Sequence, residues 1–356
     1  MKRNRSILIL KIFCFILVAF FSVKMPLISD AASDDKEKAN VLRLENSLNQ
    51  KMDEELITKM KYRSKYDYSL SQFCDSLRNA AKDHGYVITR VNSIMKNKSG
   101  SQYIYTVSIR NSSYLEAYFP TSMKEAYEDT LSILKNMEYE KVISDDKLKY
   151  ENGIEAAFKQ HPEYQTSVLS IIKYTKNTNY YQISLRKGIS FDEVKERQNE
   201  VLALAESITD SIITKEMNDS EKARVIHDYI LAQCEFHSEA EENALFDDLS
   251  YTAYGCLIQH KALCMGYAAS FNLLSDMAGL KSIAVSSYNM EKHTGHAWNY
   301  VCLDDSYVYV DCTWDDLKMD NGSYSTRYFA VDEETISADH AQWDKDIFSK
   351  KWIAYL

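Results

Sequence analysis

Lys261-Ala262-Leu263-Cys264-Met265-Gly266-Tyr267-Ala268, then Gly295-His296-Ala297-Trp298-Asn299, then Val310-Asp311-Cys312-Thr313-Trp314-Asp315-Asp316: these three pieces decide how the chain is read. In the first, Cys264, Tyr267, Ala268, Phe271, Leu274 and Met277 recur at helical spacing and stop before Gly279, which predicts a helix over 264–278. Cys264 then sits in the first turn, where free N–H groups and the macrodipole favour an anion. A thiol placed there ionises near neutral pH and becomes a nucleophile. Taken alone, Cys264 also fits a buried structural cysteine, since Cys is among the most buried residue types.

The second and third pieces read as strands. Ser282–Ser286 is followed by His296–Leu303 and Tyr307–Thr313, the last two joined by Asp304-Asp305-Ser306. Across a two- or four-residue turn, even positions oppose odd ones, and opposed residues share a face. His296 and Asp311 are then expected on one face, within a residue or two of opposition. A carboxylate holding an imidazole is the orienting half of a catalytic triad, and Cys264 supplies the nucleophile. By the same parity Cys302 and Cys312 project from opposite faces and are expected not to form a disulfide. Trp298 and Trp314 are expected to pack around this group.

Outward from that centre the chain alternates helix and strand signals. Val41, Leu44, Leu48, Met52, Leu56 and Met60 predict a long amphipathic helix over 36–61. Further helices are expected over 70–82, 122–137 and 193–214, with another from Asn218-Asp219-Ser220 to about Cys234. Strands are expected over 87–91 and 103–109, with a hairpin of 168–174 and 180–185 across 176–179. His84 and His161 read as surface or capping residues. The adjacent His227 and Asp228 point in different directions on a helix and read as structural. The fold class expected is α+β.

Lys2, Arg3 and Arg5 precede an apolar run over 12–23, and Ser29 and Ala31 follow at the spacing of a cleavage site. This is the layout of a secretory signal over 1–31. Lys11 leaves the run shorter than a spanning helix wants, so membrane contact is expected only if the segment stays uncleaved. The expected division is 1–31 signal, 32–190 an N-terminal α+β region, and 191–356 the catalytic domain, with the mature protein secreted or at the cell surface. Lys+Arg total 42 against Asp+Glu 52, a net charge of −10, with no basic block to neutralise phosphates, which argues against a nucleic-acid partner. Seven cysteines are too sparse for a disulfide scaffold and form no CxxC pair. His293 and His296, with Cys256, Cys264 or Cys312, could be set out as a zinc site. No HExxH exists, and His296 begins a strand, so this reading is not adopted.

Cys264 with Gly266-Tyr267-Ala268, His296-Ala297-Trp298-Asn299, and Asp311-Cys312-Thr313-Trp314-Asp315 stand in the order Cys, His, Asp. Together they resemble the transglutaminase-like superfamily, over roughly 210–345. The tail Tyr328-Phe329-Ala330-Val331-Asp332 through His340 is similar to that family's flanking elements. The resemblance implies a papain-like transglutaminase core, with Cys264 as nucleophile, His296 as base and Asp311 as orienter. It implies thiol acyl transfer on a protein or peptide amide through a thioester, and no motif in the sequence suggests a calcium loop, another metal or any other cofactor. Hydrolysis is favoured over cross-linking because water is always present and no amine-binding feature is visible. The Cys264 N–H is the first expected oxyanion donor, with Tyr254 and Gln259 as candidates for a second. The alternative is a non-catalytic cell-surface module that keeps the same core.

Overall fold

The computed structural model describes residues 28–52, 56–145, 148–167, 169–174, 179–185, 188–238, 248–291 and 294–356. Most of the signal segment, residues 1–27, lies outside them, as do His293 and the hairpin residues 176–178. No described helix is long and apolar enough to cross a membrane. The chain divides into two units, one of 1–84 with 91–111 and the other of 85–90 with 112–356. The boundary expected at 190/191 is therefore not where the units part. Residues 112–190 share one unit with 191–356, for reasons of packing given below.

The first unit holds α1 (Ile28–Met52), β1 (Lys59–Ser64) and α2 (Leu70–Asp83); after β2 (Tyr86–Ile88), which belongs to the second unit, come β3 (Ser93–Ser99) and β4 (Gln102–Ser108). Its sheet has the order β1-β4-β3, all antiparallel. Leu44, Leu48 and Met52 of α1 are buried, as are Phe73, Leu77, Ala80 and Ala81 of α2. Phe73 stacks on Tyr105 with ring centroids 4.7 Å apart. A capping box between Ser69 and Gln72 starts α2, at the residue where the helix is expected to begin. The helix expected to run to Lys61 stops at Met52. Lys59-Met60-Lys61-Tyr62-Arg63-Ser64 alternates exposure residue by residue, and period two with a ladder to β4 overrides the helical spacing of Met60. Strand β3 was not expected, because its sequence SIMKNKS is mostly polar and exposed.

In the second unit a five-stranded sheet, ordered β2-β5-β6-β8-β7, is built from β2, β5 (Tyr114–Tyr118), β6 (Val142–Ser144), β7 (Leu169–Tyr174) and β8 (Tyr180–Leu185). Helices α3 (Met123–Lys135) and α4 (Glu151–Gln160) pack in the same region. Then follow α5 (Phe191–Ile212) and α6 (Asp219–Gln233), opened by capping boxes at Ser190/Glu193 and Asn218/Glu221. A two-residue pair of β9 (Glu235–Phe236) with β10 (Lys261–Ala262) brackets α7 (Ala253–Leu257) and leads into α8 (Cys264–Met277). The last sheet is β11 (Lys281–Asn289), β12 (Thr294–Leu303) and β13 (Ser306–Val310), in that order and antiparallel. Short helices α9 (Cys312–Asp315), α10 (Glu333–Ser337) and α11 (Lys350–Ile353) close the chain. The architecture is α+β.

Both faces of the β11–β13 sheet are covered. Ala223, Ile226, Ile230, Phe271 and Leu274 of the helices share one core with Val301, Leu303 and Val310 of the sheet. On the other face Val285, Trp298 and Tyr309 pack with Tyr127, Ala156, Tyr328, Trp343 and Trp352. Helix α8 is buried along nearly its whole length, which matches its lack of a polar face. Asn299 of β12 donates to Ala268 O and to Asn272 Oδ1, each at 2.9 Å. Asn272 in turn donates to Gln160 O and Glu163 Oε2, each at 3.0 Å. These bonds fix α8 to β12 and to residues 160–163, which is why the 112–190 region does not separate from the later residues. His161 is the C-cap of α4, one of the two roles expected, but it is buried in the same group and not at the surface: its Nδ1 meets Glu163 at 2.6 Å and its Nε2 meets the Tyr127 hydroxyl at 2.7 Å.

Candidate active site

Cys264 opens α8, whose N-cap is Leu263, and no side chain caps the helix start. The backbone there is set by Leu263 N–H donating to Ser250 O at 2.8 Å and His237 N–H donating to Ala262 O at 2.8 Å. Gly266 makes the close approach possible. A Cβ at that position would lie 2.7 Å from Ser250 O, 2.7 Å from Ala262 Cβ and 3.0 Å from Thr252 O, so any larger residue pushes the helix start away. Cys264 itself is half-buried and packs against Ala268, Ala284 and Ala297. The first N–H groups of the helix are left to face whatever lies at the thiol.

His296 and Asp311 reach the site from the sheet. Asn299 opposes Val310 in β12 and β13, so even positions oppose odd ones, as expected, and Trp298 and Tyr309 fall on one face with His296. Strand β13 ends at Val310, three residues earlier than expected. Asp311 is the N-cap of α9, accepting from Thr313 N–H at 2.9 Å and Trp314 N–H at 3.1 Å through Oδ1. Its other oxygen, Oδ2, accepts from His296 Nε2 at 2.6 Å. The carboxyl is fully buried. Burial raises its pKa, but the bonds from His296 and His340 outweigh that and hold it below the ordinary carboxylate range.

His296 lies between Trp298, 5.7 Å away between centroids, and Trp314, 4.9 Å away, both nearly parallel to it. Burial disfavours its charged form. Hydrogen bonds with Asp311 and with Cys264, and their charges, outweigh the burial and push its pKa up to about 10. The structure thus brings His296 and Asp311 into a hydrogen bond and places Cys264 near enough to the ring to help raise its pKa.

One residue at this site was not expected. His340, in the tail after α10, donates from Nε2 to the same Asp311 Oδ2 at 2.9 Å. Topology carries it there: Asp311 N–H donates to Tyr328 O at 3.0 Å, and Tyr309 and Val331 exchange backbone bonds. The signal in the sequence is the resemblance of the tail through His340 to the family's flanking elements, which gives His340 no role. Trp298 is buried as expected, whereas Trp314 is 39% exposed and so presents one ring face at the site rather than filling the core. Tyr254 donates its hydroxyl to Glu200 at 2.8 Å, so it is committed away from an oxyanion, and Gln259 is exposed. His227 is buried and pairs with Asp228 at 2.9 Å, contrary to the divergent geometry expected of neighbours on a helix, and with Asp315 at 3.3 Å.

Ligand atoms of His296, Asp311 and His340 lie within 4.8 Å of one another. The N···O separations of 2.6 and 2.9 Å are hydrogen-bond lengths. Two ligands roughly 2.0–2.1 Å from a tetrahedral zinc would stand about 3.3 Å apart, so this cluster is built to share protons. Cys256 and Cys312 are buried in the helical core. Cys74, Cys234, Cys256, Cys264, Cys302 and Cys312 are all free thiols. Cys302 and Cys312 are thus unpaired, although Cys312 begins α9 and the strand-parity argument does not apply to it.

Residues 206–312 match the family model of the Transglutaminase-like superfamily, a span that includes Cys264, His296 and Asp311 but not His340. The kyphoscoliosis peptidase of Mus musculus is 26% identical over 153 residues, which are 38% of this chain and 23% of that protein. The chain therefore spans about a quarter of the curated relative it matches. Among solved structures, a crystallised TGase aligns over 79% of this chain and 55% of its own, at 13% identity and a TM-score of 0.29. The chain carries a transglutaminase-like segment.

Proposed function

With a transglutaminase-like segment as the premise, we propose that the protein is an exported thiol acyl-transfer enzyme acting on protein or peptide amides, with hydrolysis favoured over cross-linking. The observation that carries this reading is the contact chain from the uncapped start of α8 at Cys264, through His296, to the buried Asp311. In this reading Cys264 Sγ attacks the carbonyl carbon of a glutamine side chain or a peptide bond. The oxyanion forms beside the Cys264 N–H at the helix start. His296 gives its proton to the departing nitrogen, and the C–N bond breaks to leave a thioester. Water, deprotonated by His296, then attacks the thioester and releases a carboxylic acid and the thiolate. An amine in place of water would give an isopeptide bond.

Asp311 holds His296 by Nε2, which leaves Nδ1 for the sulfur side, and its own charge offsets the imidazolium. Trp314 covers one face of that ring, which supports a site where water reaches the ion pair from few directions. The signal layout over 1–31 supports export, and no basic patch supports a nucleic-acid substrate. The test is incubation of the protein with a peptide library, with and without a primary amine, read by mass spectrometry. Cleaved peptides or glutamine residues converted to glutamate, in both arms and absent with Cys264→Ala, are the expected products. Amine adducts exceeding hydrolysis products would reverse the preference. Identical libraries before and after incubation would contradict the enzyme reading.

A further inference from the structure

His340 has no solvent exposure at its imidazole and both ring nitrogens face carboxylates. Nε2 lies 2.9 Å from Asp311 Oδ2 and Nδ1 lies 3.0 Å from Asp339 Oδ1. An ionised carboxylate only accepts hydrogen bonds, so the contact to Asp311, whose carboxyl is held ionised, is made by the Nε2–H of the ring. Asp339 is itself held: the Tyr328 hydroxyl donates to its Oδ2 at 2.6 Å, and Arg327 Nη2 stands 3.3 Å away. Trp314, Trp298 and Tyr328 wall the ring in, with centroids at 4.1, 4.9 and 5.3 Å. Burying an imidazole between two acids costs desolvation, and packing alone would be served as well by an apolar residue.

We propose that His340 is a positioning residue for the Asp311–His296 pair, sharing Oδ2 with His296 so that Asp311 orients the imidazole without binding its proton too tightly. The inference rests on the reading of Cys264 and His296 as nucleophile and base. Asp311 accepts four hydrogen bonds: two backbone N–H groups on Oδ1 and two imidazole N–H groups on Oδ2. With His340 removed, the charge on Oδ2 would fall to His296 alone. The imidazolium would then be a weaker acid and would release its proton to a departing amine more slowly. The groups facing His296 are Cys264 from α8, Asp311 from the end of β13, and His340 beyond it, with Asp339 and Arg327 on the far side of His340. The segment 327–340 thereby tunes a site whose other members lie before residue 312.

The test follows the His296 ring by NMR through a pH titration of the full protein, in wild type, His340→Phe and His340→Gln, together with kcat and KM. Loss of a hydrogen bond to a charged group, as in His340→Phe, should raise the His296 midpoint by about half a unit or more and lower kcat roughly tenfold, with KM within about twofold. His340→Gln retains a donor toward Asp311 and should restore both values. An unchanged or lowered midpoint in His340→Phe, or a Gln variant no better than Phe, overturns the proposal. Should His340→Phe fail to fold, the wild-type protein still answers. Alkylating Cys264 with iodoacetamide should shift the His340 Nε2–H resonance through His296 and Asp311, and a resonance that stays in place overturns the proposal. The titration needs no substrate, so absence of wild-type turnover would sink the enzyme reading alone.

Discussion

Trp314 lies over His296 with ring centroids 4.9 Å apart and planes 26° from parallel, while 39% of the residue remains exposed. The indole therefore packs on His296, His340 and Tyr328 while part of it meets solvent. Stacking of this kind contributes about 0.5–1.5 kcal/mol, and each 1.36 kcal/mol is tenfold in rate. Trp314→Ala should lower kcat/KM by about two- to tenfold, and Trp314→Phe should recover most of it. Steady-state kinetics check this, and equal losses in the two variants would mean that the ring face is not what matters.

Asp311→Asn should cost both turnover and stability. All four hydrogen bonds to the carboxylate come from N–H donors. Whichever way the amide is turned, its NH2 group faces two of them, leaving buried donors opposed, at about 1–3 kcal/mol. It also mis-sets the imidazole tautomer, a change that lowers kcat by about 10⁴ in a serine triad. A trace of activity should survive, since nucleophile and base are still present. Chemical denaturation and single-turnover kinetics measure the two effects.

The pH profile follows from the shifts at His296 and Asp311. His296 is pushed up to about 10, against about 6.5 for a free imidazole. Its contribution to stability is therefore complete below about pH 6.5 and fades as pH rises toward 10. Asp311 is shifted down, so its contribution is present above about pH 3.9 and is lost as pH falls through its lowered value. The alkaline limb of kcat/KM should lie near pH 10 in wild type and move toward neutrality in Asp311→Asn. The stability gap between those two proteins should narrow between pH 7 and pH 10. A wild-type limb near pH 7 would mean that the ion pair is not maintained.

Much of this site could be read from the sequence because its parts are local. The helical spacing after Cys264 places the thiol at a helix start, and a short turn fixes the parity that puts His296 and Asp311 on one face. Ser69, Ser122, Ser190 and Asn218 mark helix starts by hydrogen bonds within three residues. His340 could not be read this way. It arrives 29 residues after Asp311, from a tail with no periodicity, aimed by the backbone bonds of Tyr328 and Val331 and by Asp339. The partition of the chain was equally hidden, since β2 is only three residues long yet leaves one unit for the other. Competing periods misled the reading of 56–61, where Met60 suits both a helix and a strand.

Gly266→Ala tests how α8 is seated. The added Cβ would lie 2.7 Å from Ser250 O, and overpacking of this kind costs about 1–3 kcal/mol. Each kcal/mol lowers Tm by about 2–4 °C in a domain of this size. Thermal unfolding should show that loss, and alkylation of Cys264 should slow in the folded variant. An unchanged Tm would mean that the helix start has room to spare.

The rate at which iodoacetamide modifies each of the six described cysteines at pH 6–7, read by peptide mass spectrometry on the native protein, tests the central claim most directly. A thiol at a helix N-terminus beside an imidazolium reacts as thiolate, so Cys264 should be modified far faster than Cys74, Cys234, Cys256, Cys302 and Cys312, and His296→Ala should remove the advantage. Modification of Cys264 no faster than the partly exposed Cys74 and Cys302 would contradict the account.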